Sequence, residues 1–554
     1  MHASVDPSQL NESQLRQLVE QMQGQLQEAD DKIAAGQAQL ATKDARLAES
    51  HERLTAQESQ LAEQAAELDR RAAAIQRYQI REEQLTHEMA LLKRHQFGKR
   101  AEGVSRAQFS LLEDLVDEDI AGIEREIEHL AKRHEKPESR PRAPKRRALP
   151  PQLPRTEIRH EPECTTCDCG CERTRIGEDV TEKLDYEPGQ FSVERHIRGK
   201  WSCKQCETLI QEPMAPHVID KGIPTTNLLA QILISKYADH LPLYRQEQMY
   251  SRAGVELPRS TLADWVGRCG VELKPLVEHL RQRLLEQPVL HADETPVPML
   301  SPGKKRTHRA YIWAYATTRS APIQGVVYDF QPSRSGKACR DFLADWQGKL
   351  VCDDYTGYKA GFANGMTEVG CWAHARRKFH ELTERSDSPI AEQALQTIGM
   401  LYDIERHIQE KPPDERLLIR ESQSRPIVEK LRDWLINQRL GLTGGTRTAK
   451  AIDYSLRRWD ALERYLDDGN VPIDNNWIEN QVRPWALGRK NWLFAGSQRS
   501  GQRAANVMSL IQTAKINGVD PQAYLRDVLE RLPTAKLSDL DDLLPHNWST
   551  PIKV

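Results

Sequence analysis

The sequence predicts a multidomain α+β protein, and three observations carry that prediction. Apolar residues recur at every seventh position from Leu26 to Ile75, six of the ten cysteines crowd between Cys164 and Cys206, and short β-rich runs set in after Pro288. A sustained heptad means a coiled coil, clustered cysteines mean a metal-stapled module, and alternating or wholly apolar runs between turns mean a sheet. A chain of 554 residues has room for about three or four domains. Its net charge of −3 gives no chain-wide attraction to nucleic acid, so any basic surface must be local. No apolar run reaches the roughly 20 residues of a membrane span, and MHASVDPSQL lacks a basic and apolar leader. With cysteines clustered rather than spread in a disulfide framework, a cytoplasmic location is expected.

The first element, residues 1–97, is the coiled coil. Leu26, Ile33, Leu40, Leu47, Leu54, Leu61, Leu68 and Ile75 hold one phase, and Tyr78, Leu85 and Leu92 continue in a shifted one. The companion core positions carry Lys43, Ser50, Gln57, Gln64 and Arg71, which predicts a weak homo-oligomer contact. Gly98 stops the coil, and 98–131 reads as an acidic amphipathic helix. Residues 132–160 then form a basic, Pro-rich linker around Lys145, Arg146 and Arg147. Such an extended arm suits contact with DNA phosphates.

Residues 161–218 read as a zinc ribbon. Cys164-x-x-Cys167-x-Cys169-x-Cys171 and Cys203-Lys-Gln-Cys206 are two knuckles separated by the β-like FSVERHIRGKWSC. Four thiolates close a tetrahedral Zn²⁺ site that is structural, with no open position for chemistry. Cys203 and Cys206 supply one pair, while the first knuckle offers four thiols for two places. Residues 219–287 are helical throughout. A helix, a turn at Gly254 and a helix opening Arg259-Ser260-Thr261, with Ser260 as N-cap, have the layout of a helix-turn-helix.

From residue 288 the period changes. PVLHADET, HRAYIWAYATT, QGVVYDF, KLVCDDY and TEVGCWA predict five strands, with GKACRDFLADW a helix between the third and fourth and AHARRKFHEL a helix after the fifth. A wholly helical texture over 388–466 predicts an insertion, so the α/β domain comprises 288–387 and 467–515, followed by a helical tail over 516–554. Asp293 lies at the end of the first strand, Asp353 at the end of the fourth, and Glu479 opens the helix that resumes the domain. That is the layout of a ribonuclease-H-like catalytic domain. Neighbouring strand ends bring two carboxylates together and a packed helix adds a third. Such a cluster stays ionised only with divalent cations, which suit phosphodiester chemistry. Glu294 competes with Asp293 for the inward position, and Asp354 with Asp353. Glu479 stands three residues after Asn476, the spacing of a capping box. His374, Arg376, Arg377, Arg483, Arg489 and Lys490 supply positive charge for a polyanionic substrate.

In this order HADET, CDDYTGY, CWAHARRKFHE, IDNNWIEN and RKNWLFAGS resemble the transposases of the insertion sequence 66 family. Upstream, LKRHQFGKRAE, the cysteine cluster, IGEDVTEKLDY and GIPTTNLLAQILISKYADHLPLYRQ extend the likeness, so it runs from Leu91 to about Leu529. The resemblance implies a DDE transposase that uses Mg²⁺ or Mn²⁺ to cleave double-stranded DNA at element ends and join it to a target. It assigns Asp293, Asp353 and Glu479 as catalytic metal ligands, and implies small companion proteins from the same element. The chain departs from the family pattern at Asp354, where Gly is usual, and in the spacing of its first cysteine knuckle. The alternative reading is a catalytically inactive helix-turn-helix regulator with a coiled-coil oligomerisation arm.

Overall fold

The structure, a computed structural model, describes residues 117–129 and 149–549, save 163, 167–170, 188, 220–221, 301–306, 385–387 and 493, together with scattered positions between 18 and 89. The chain divides into two compact units, Met1–Gln84 and Leu85–Val554. In the first unit the described residues, such as 18–24, are helical. The heptad residues lie outside the described set except Leu85, which belongs to the second unit and is fully buried. Lys145, Arg146 and Arg147 also lie outside it.

Within the second unit, helix α1 (117–129) is the described part of the expected acidic helix, and it is clamped to the body by ion pairs. Lys236 donates to Glu118 at 2.5 Å, Arg503 pairs with Asp119, and Arg125 pairs with Glu272 and donates to the Val218 carbonyl at 2.9 Å. Next comes a sheet of β1 (Arg155–His160), β2 (Thr174–Glu187), β3 (Gln190–Ser202) and β4 (Leu209–Gln211). Its order is β1-β3-β2, with β4 also on β3. The expected linker over 132–160 therefore ends earlier than its composition suggests. Its last residues pair in parallel with β3, and the Arg155 guanidinium gathers the carbonyls of Pro150, Pro151 and Leu153 and the Glu182 carboxylate.

Four helices follow: α2 (Thr226–Tyr237), α3 (Leu243–Arg252), α4 (Arg259–Glu272) and α5 (Lys274–Leu285). The start of α4 differs from expectation. Pro258, not Ser260, is the cap residue, and no side chain caps the helix. Proline fixes φ near the helical value and has no N–H to satisfy, so the helix starts two residues early. The Arg259 N–H is taken up by Glu247 of α3 at 2.9 Å, while Ser260 stands exposed and Thr261 donates its backbone N–H to the Pro258 carbonyl.

The second sheet contains β5 (Val289–Met299), β6 (His308–Thr317), β7 (Val326–Gln331), β8 (Lys349–Val351) and β9 (Thr367–Val369) in the order β7-β6-β5-β8-β9. The first three strands are antiparallel neighbours, and β8 and β9 add in parallel. Parallel additions need crossovers. Helix α6 (Gly336–Leu343) leads from β7 to β8, and α7 (Trp372–Thr383) follows β9. The insertion is built from α8 (Pro389–Ile408), α9 (Arg425–Leu440) and α10 (Arg447–Arg457), with short helical turns between them. The chain then returns through α11 (Asn476–Trp492), α12 (Gln498–Ile516) and α13 (Pro521–Arg531). Edge strand β7 is closed by α12, whose Gln502, Ser509 and Thr513 accept the backbone N–H groups of Phe330, Tyr328 and Val326 at 2.9–3.1 Å. An edge strand with its donors covered cannot recruit a foreign strand. Gly501 permits this approach, because a Cβ there would stand 2.5 Å from the Phe330 ring.

The insertion packs its apolar faces against Val351, Val369 and Trp372, sharing a core with the parallel edge of the sheet and α7. Its exit is held by Arg420, which is fully buried. One guanidinium nitrogen donates to the carbonyls of Tyr465, Asp468 and Val471 at 2.8–2.9 Å, and the other two groups fork onto Glu405 at 2.8 and 2.6 Å. These carbonyls belong to the turn that delivers the chain to α11. Arg420→Ala would leave the turn carbonyls and Glu405 without their partner, and is expected to lower stability by about 3–5 kcal/mol in urea unfolding. A loss below about 1 kcal/mol would mean that the exit is held by other contacts.

Candidate active site

Parallel pairing between β5 and β8 runs Val289↔Lys349, Leu290↔Leu350 and His291↔Val351, and then stops. Asp293 and Asp353 each lie two residues beyond the last pair, so the register carries them forward side by side. Both side chains are half-buried. Sequence reasoning put Asp293 at a strand end, and this needs correcting: β6 keeps pairing with β5 as far as Met299, with Asp293 opposite Ala314. Asp293 is mid-strand toward β6 and past the end only toward β8. Burial first, then the charges of Glu294, Asp353 and Glu479, hold the Asp293 carboxyl well above the usual carboxylate range. Three acids thus lie close enough to Asp293 to raise it electrostatically.

Glu479 comes near Asp293 because of Asn475. This asparagine is buried, and its side chain bridges two points of β5: Nδ2 donates to the Ala292 carbonyl at 2.9 Å, and Oδ1 accepts from His291 Nδ1 at 2.8 Å. Burial pushes the His291 imidazole down to about 4, so it is neutral near pH 7 and keeps one ring N–H for this bond. The Asn475 N–H points at the Cys371 sulfur at 3.2 Å, tying the same turn to the start of α7. Asp474 closes the turn, accepting from the Asn476 N–H at 3.0 Å and from the Tyr402 hydroxyl at 2.9 Å. The Asn475 carbonyl takes the Glu479 N–H at 3.3 Å, which opens α11 one residue before Asn476. The Asn476 amide is spent on Asp474 at 2.6 Å, while the Glu479 carboxylate lies 3.8 Å from His374 and 3.7 Å from Arg377. Glu479 therefore turns toward α7.

The competing acids take other partners. Glu294 is buried, accepting from Arg334 Nε and the Tyr358 hydroxyl, each at 2.7 Å. Exposed Asp354 pairs with Lys359 at 3.3 Å and Arg458 at 3.6 Å. Asp353 instead accepts the Tyr355 N–H at 2.9 Å, which fixes its carboxylate in an Asx turn. Buried Arg458 donates to the Asp353 carbonyl at 3.3 Å and to Glu368 at 2.7 Å, bracing the turn from the insertion. Sequence reasoning missed His291, Arg334 and Arg458, and the partners that Asn475 finds outside its own turn. The only signal was the doubled asparagine in IDNN, since every partner of Asn475 is distant in sequence.

Of the basic set, Arg376, Arg377, Arg483 and Lys490 are exposed and His374 is half-buried. Arg489 is taken up structurally, donating to the Pro296 carbonyl at 2.7 Å. In the cysteine module Cys203 is buried and Cys206 exposed. Glu207 adopts φ 54°, and the Cys203 N–H and carbonyl bond to Thr208 and Glu207 in a tight knuckle. Cys164 and Cys171 are described, whereas Cys167 and Cys169 lie outside the described residues. Among the described residues, no three His, Cys, Asp or Glu side chains are gathered closely enough to hold a metal ion. The donor types fit nonetheless. Carboxylate oxygens that repel one another suit a hard divalent cation, and knuckle thiols suit zinc.

Residues 221–503 match the model of the Transposase IS66 family. The chain belongs to the IS66 transposase family. Further IS66 matches cover 84–158 (Transposase C of IS166 homeodomain), 164–207 (zinc-finger binding domain of transposase IS66) and 509–546 (IS66 C-terminal element). The chain is 38% identical over 483 residues to Uncharacterized protein y4qI of Sinorhizobium fredii (strain NBRC 101917 / NGR234), spanning 84% of this chain and 88% of that protein. It is also 38% identical over 417 residues to Uncharacterized protein y4jD of the same organism, spanning 72% and 81%. Family membership gives this IS66 protein a transposase role with DNA-binding and zinc-finger parts. At the level of the family, that role is the cutting and joining of DNA. No described helix is long and apolar enough to cross a membrane.

The displaced Asp293 carboxyl makes a signed prediction. Both folded and unfolded chains hold the proton well below the ordinary aspartate value of about 3.9, so the site costs nothing there. As pH rises the unfolded chain releases the proton first, and folding stability falls until the folded group titrates. Asp293→Asn in EDTA is therefore expected to stabilise the IS66 protein at pH 8 by on the order of 1 kcal/mol, and less at pH 5, in paired thermal melts. A gain that is larger at pH 5, or none at either pH, would contradict the crowded site.

Proposed function

We propose that this IS66 transposase has a ribonuclease-H-like catalytic domain in which Asp293, Asp353 and Glu479 hold Mg²⁺ or Mn²⁺ for DNA cleavage and strand transfer. One observation carries the reading: the β5–β8 register sets Asp293 level with Asp353, while Asn475 bolts the start of the Glu479 helix to the same strand. The strand order β7-β6-β5-β8-β9, with three antiparallel strands and two parallel additions, supports the fold assignment. The reaction is attack of water on a phosphodiester at the element end, followed by attack of the freed 3′-hydroxyl on target DNA.

When bound, the divalent ions would activate the attacking oxygen and stabilise the leaving one. The chain's own residues prepare the site. Asp293 must give up the proton that its surroundings favour, so its ionisation is linked to charge compensation. The Tyr355 N–H aims Asp353, with Arg458 holding its backbone from behind. His374 and Arg377 keep Glu479 between them; Arg377 brings positive charge to where a phosphate would arrive, while burial holds the His374 imidazole below its usual value.

For the rest of the molecule, Zn²⁺ is held by Cys203 and Cys206 with two of Cys164, Cys167, Cys169 and Cys171. Helix α4, opening Arg259-Ser260-Thr261, and the arm around Lys145, Arg146 and Arg147 contact double-stranded element ends. The heptad segment joins protomers.

The test is cleavage of a labelled element-end duplex in Mg²⁺. Asp293→Ala, Asp353→Ala and Glu479→Ala are each expected to lower the rate at least 10³-fold while retaining end binding within about threefold, as expected when only transition-state interactions are lost. Wild-type-like cleavage by any of the three would refute its assignment. Binding without cleavage by the wild-type protein in either metal would favour the inactive-regulator reading.

A further inference from the structure

The insertion and α7 together line a groove rimmed by cations that none of the roles above uses. Helices α7 and α10 diverge over a cavity of about 850 Å³. Its walls present Lys378, Arg447, Lys450 and Arg457, all exposed, against two acids, Glu381 and Asp453. Asp453 is already neutralised by Arg439, which approaches it at 2.7 Å from α9. The groove is therefore strongly positive, in a chain whose net charge is −3.

Its position ties it to the acids. Lys378 directly follows Arg377, which lies 3.7 Å from Glu479, and Lys378 Nζ sits 5.7 Å from the centre of the Tyr454 ring on the opposite wall. The Tyr454 hydroxyl accepts from Arg458 at 3.3 Å, and Arg458 in turn donates to the Asp353 carbonyl at 3.3 Å. Each wall thus starts at a residue that supports a candidate metal ligand; on α10 the cations Arg457, Lys450 and Arg447 then line the groove, whereas on α7 Lys378 is followed by the acid Glu381. A row of cations leading from a phosphodiester-cleaving centre is the pattern of a channel that tracks a nucleic-acid backbone.

We propose that the groove between α7 and α10 binds the phosphate backbone of a single DNA strand leaving the acid site, with Lys378, Arg447, Lys450 and Arg457 as its contacts. This rests on the catalytic reading above, and it assigns the insertion a direct part in holding substrate.

The test is fluorescence anisotropy with a labelled 20-nucleotide single-stranded DNA and the full chain in EDTA, titrated over a range of KCl concentrations. Each phosphate contact on a single strand contributes about 0.7 to the slope of log affinity against log salt. Lys378→Gln/Lys450→Gln is expected to reduce that slope by about 1.4 and to weaken binding roughly tenfold at low salt. The matched pair Lys430→Gln/Arg432→Gln, on exposed positions of α9, is expected to leave the slope unchanged. An unchanged slope in the groove variant, or an equal fall in the α9 variant, would overturn the proposal. A fall seen with a duplex of the same sequence but not with the single strand would overturn the single-strand assignment. Failure of the catalytic reading would appear instead in the wild-type cleavage assay, which the salt slope does not measure.

Discussion

The candidate site depends on one buried amide. Asn475 joins the central strand, the start of α7 and the start of α11 through a single residue. Its carboxamide fills both valences on β5, one donor to Ala292 and one acceptor from His291. Because the pair is buried, breaking it would leave a carbonyl and an imidazole nitrogen unsatisfied, at about 1–3 kcal/mol for each group. Glu479 lies one helical turn beyond, so the anchor fixes the start of the helix that carries it, while His374 and Arg377 flank its carboxylate. Neutral His291 is part of the same device, since a protonated ring would need a second acceptor inside the core.

The insertion is placed where a long excursion would be expected to harm the site. It enters after α7 and returns just before Asp474, between the second and third candidate ligands in sequence. Two buried arginines make the excursion rigid. Arg420 gathers the exit turn, and Arg458 reaches from the end of α10 to the Asp353 backbone. The added domain thereby buttresses the acids, and its outward face is left to carry charge.

Much of this was legible in the sequence because the signals are local. All five strands of the second sheet, both intervening helices and the helical insertion follow from apolar period and β-branched content, and each is found where its segment was read. The misses are non-local. Strand β1 forms inside a Pro- and Arg-rich arm because β3 offers a partner edge, which composition cannot show. Asp293 lies inside a strand because β6 outruns β8. The cap at Ser260 fails because Pro258 already starts the helix. Glu479 stands at capping-box spacing, yet Asn476 bonds Asp474 and the carboxylate turns toward His374 and Arg377. The residues to which Asn475 anchors were invisible because they lie 183 and 184 residues away.

The central claim is that Asp353, and not its neighbour, shares a divalent ion with Asp293 and Glu479. It is tested most directly by counting Mn²⁺ bound to the full chain by electron paramagnetic resonance, in wild type, Asp353→Asn and Asp354→Asn. Asp354 is engaged with Lys359 and Arg458 on the surface, so its amide variant should bind Mn²⁺ as wild type does. Asp353→Asn should weaken binding at least tenfold, the scale of losing one charged ligand. Equal binding by wild type and Asp353→Asn, or loss confined to Asp354→Asn, would contradict the carboxylate site.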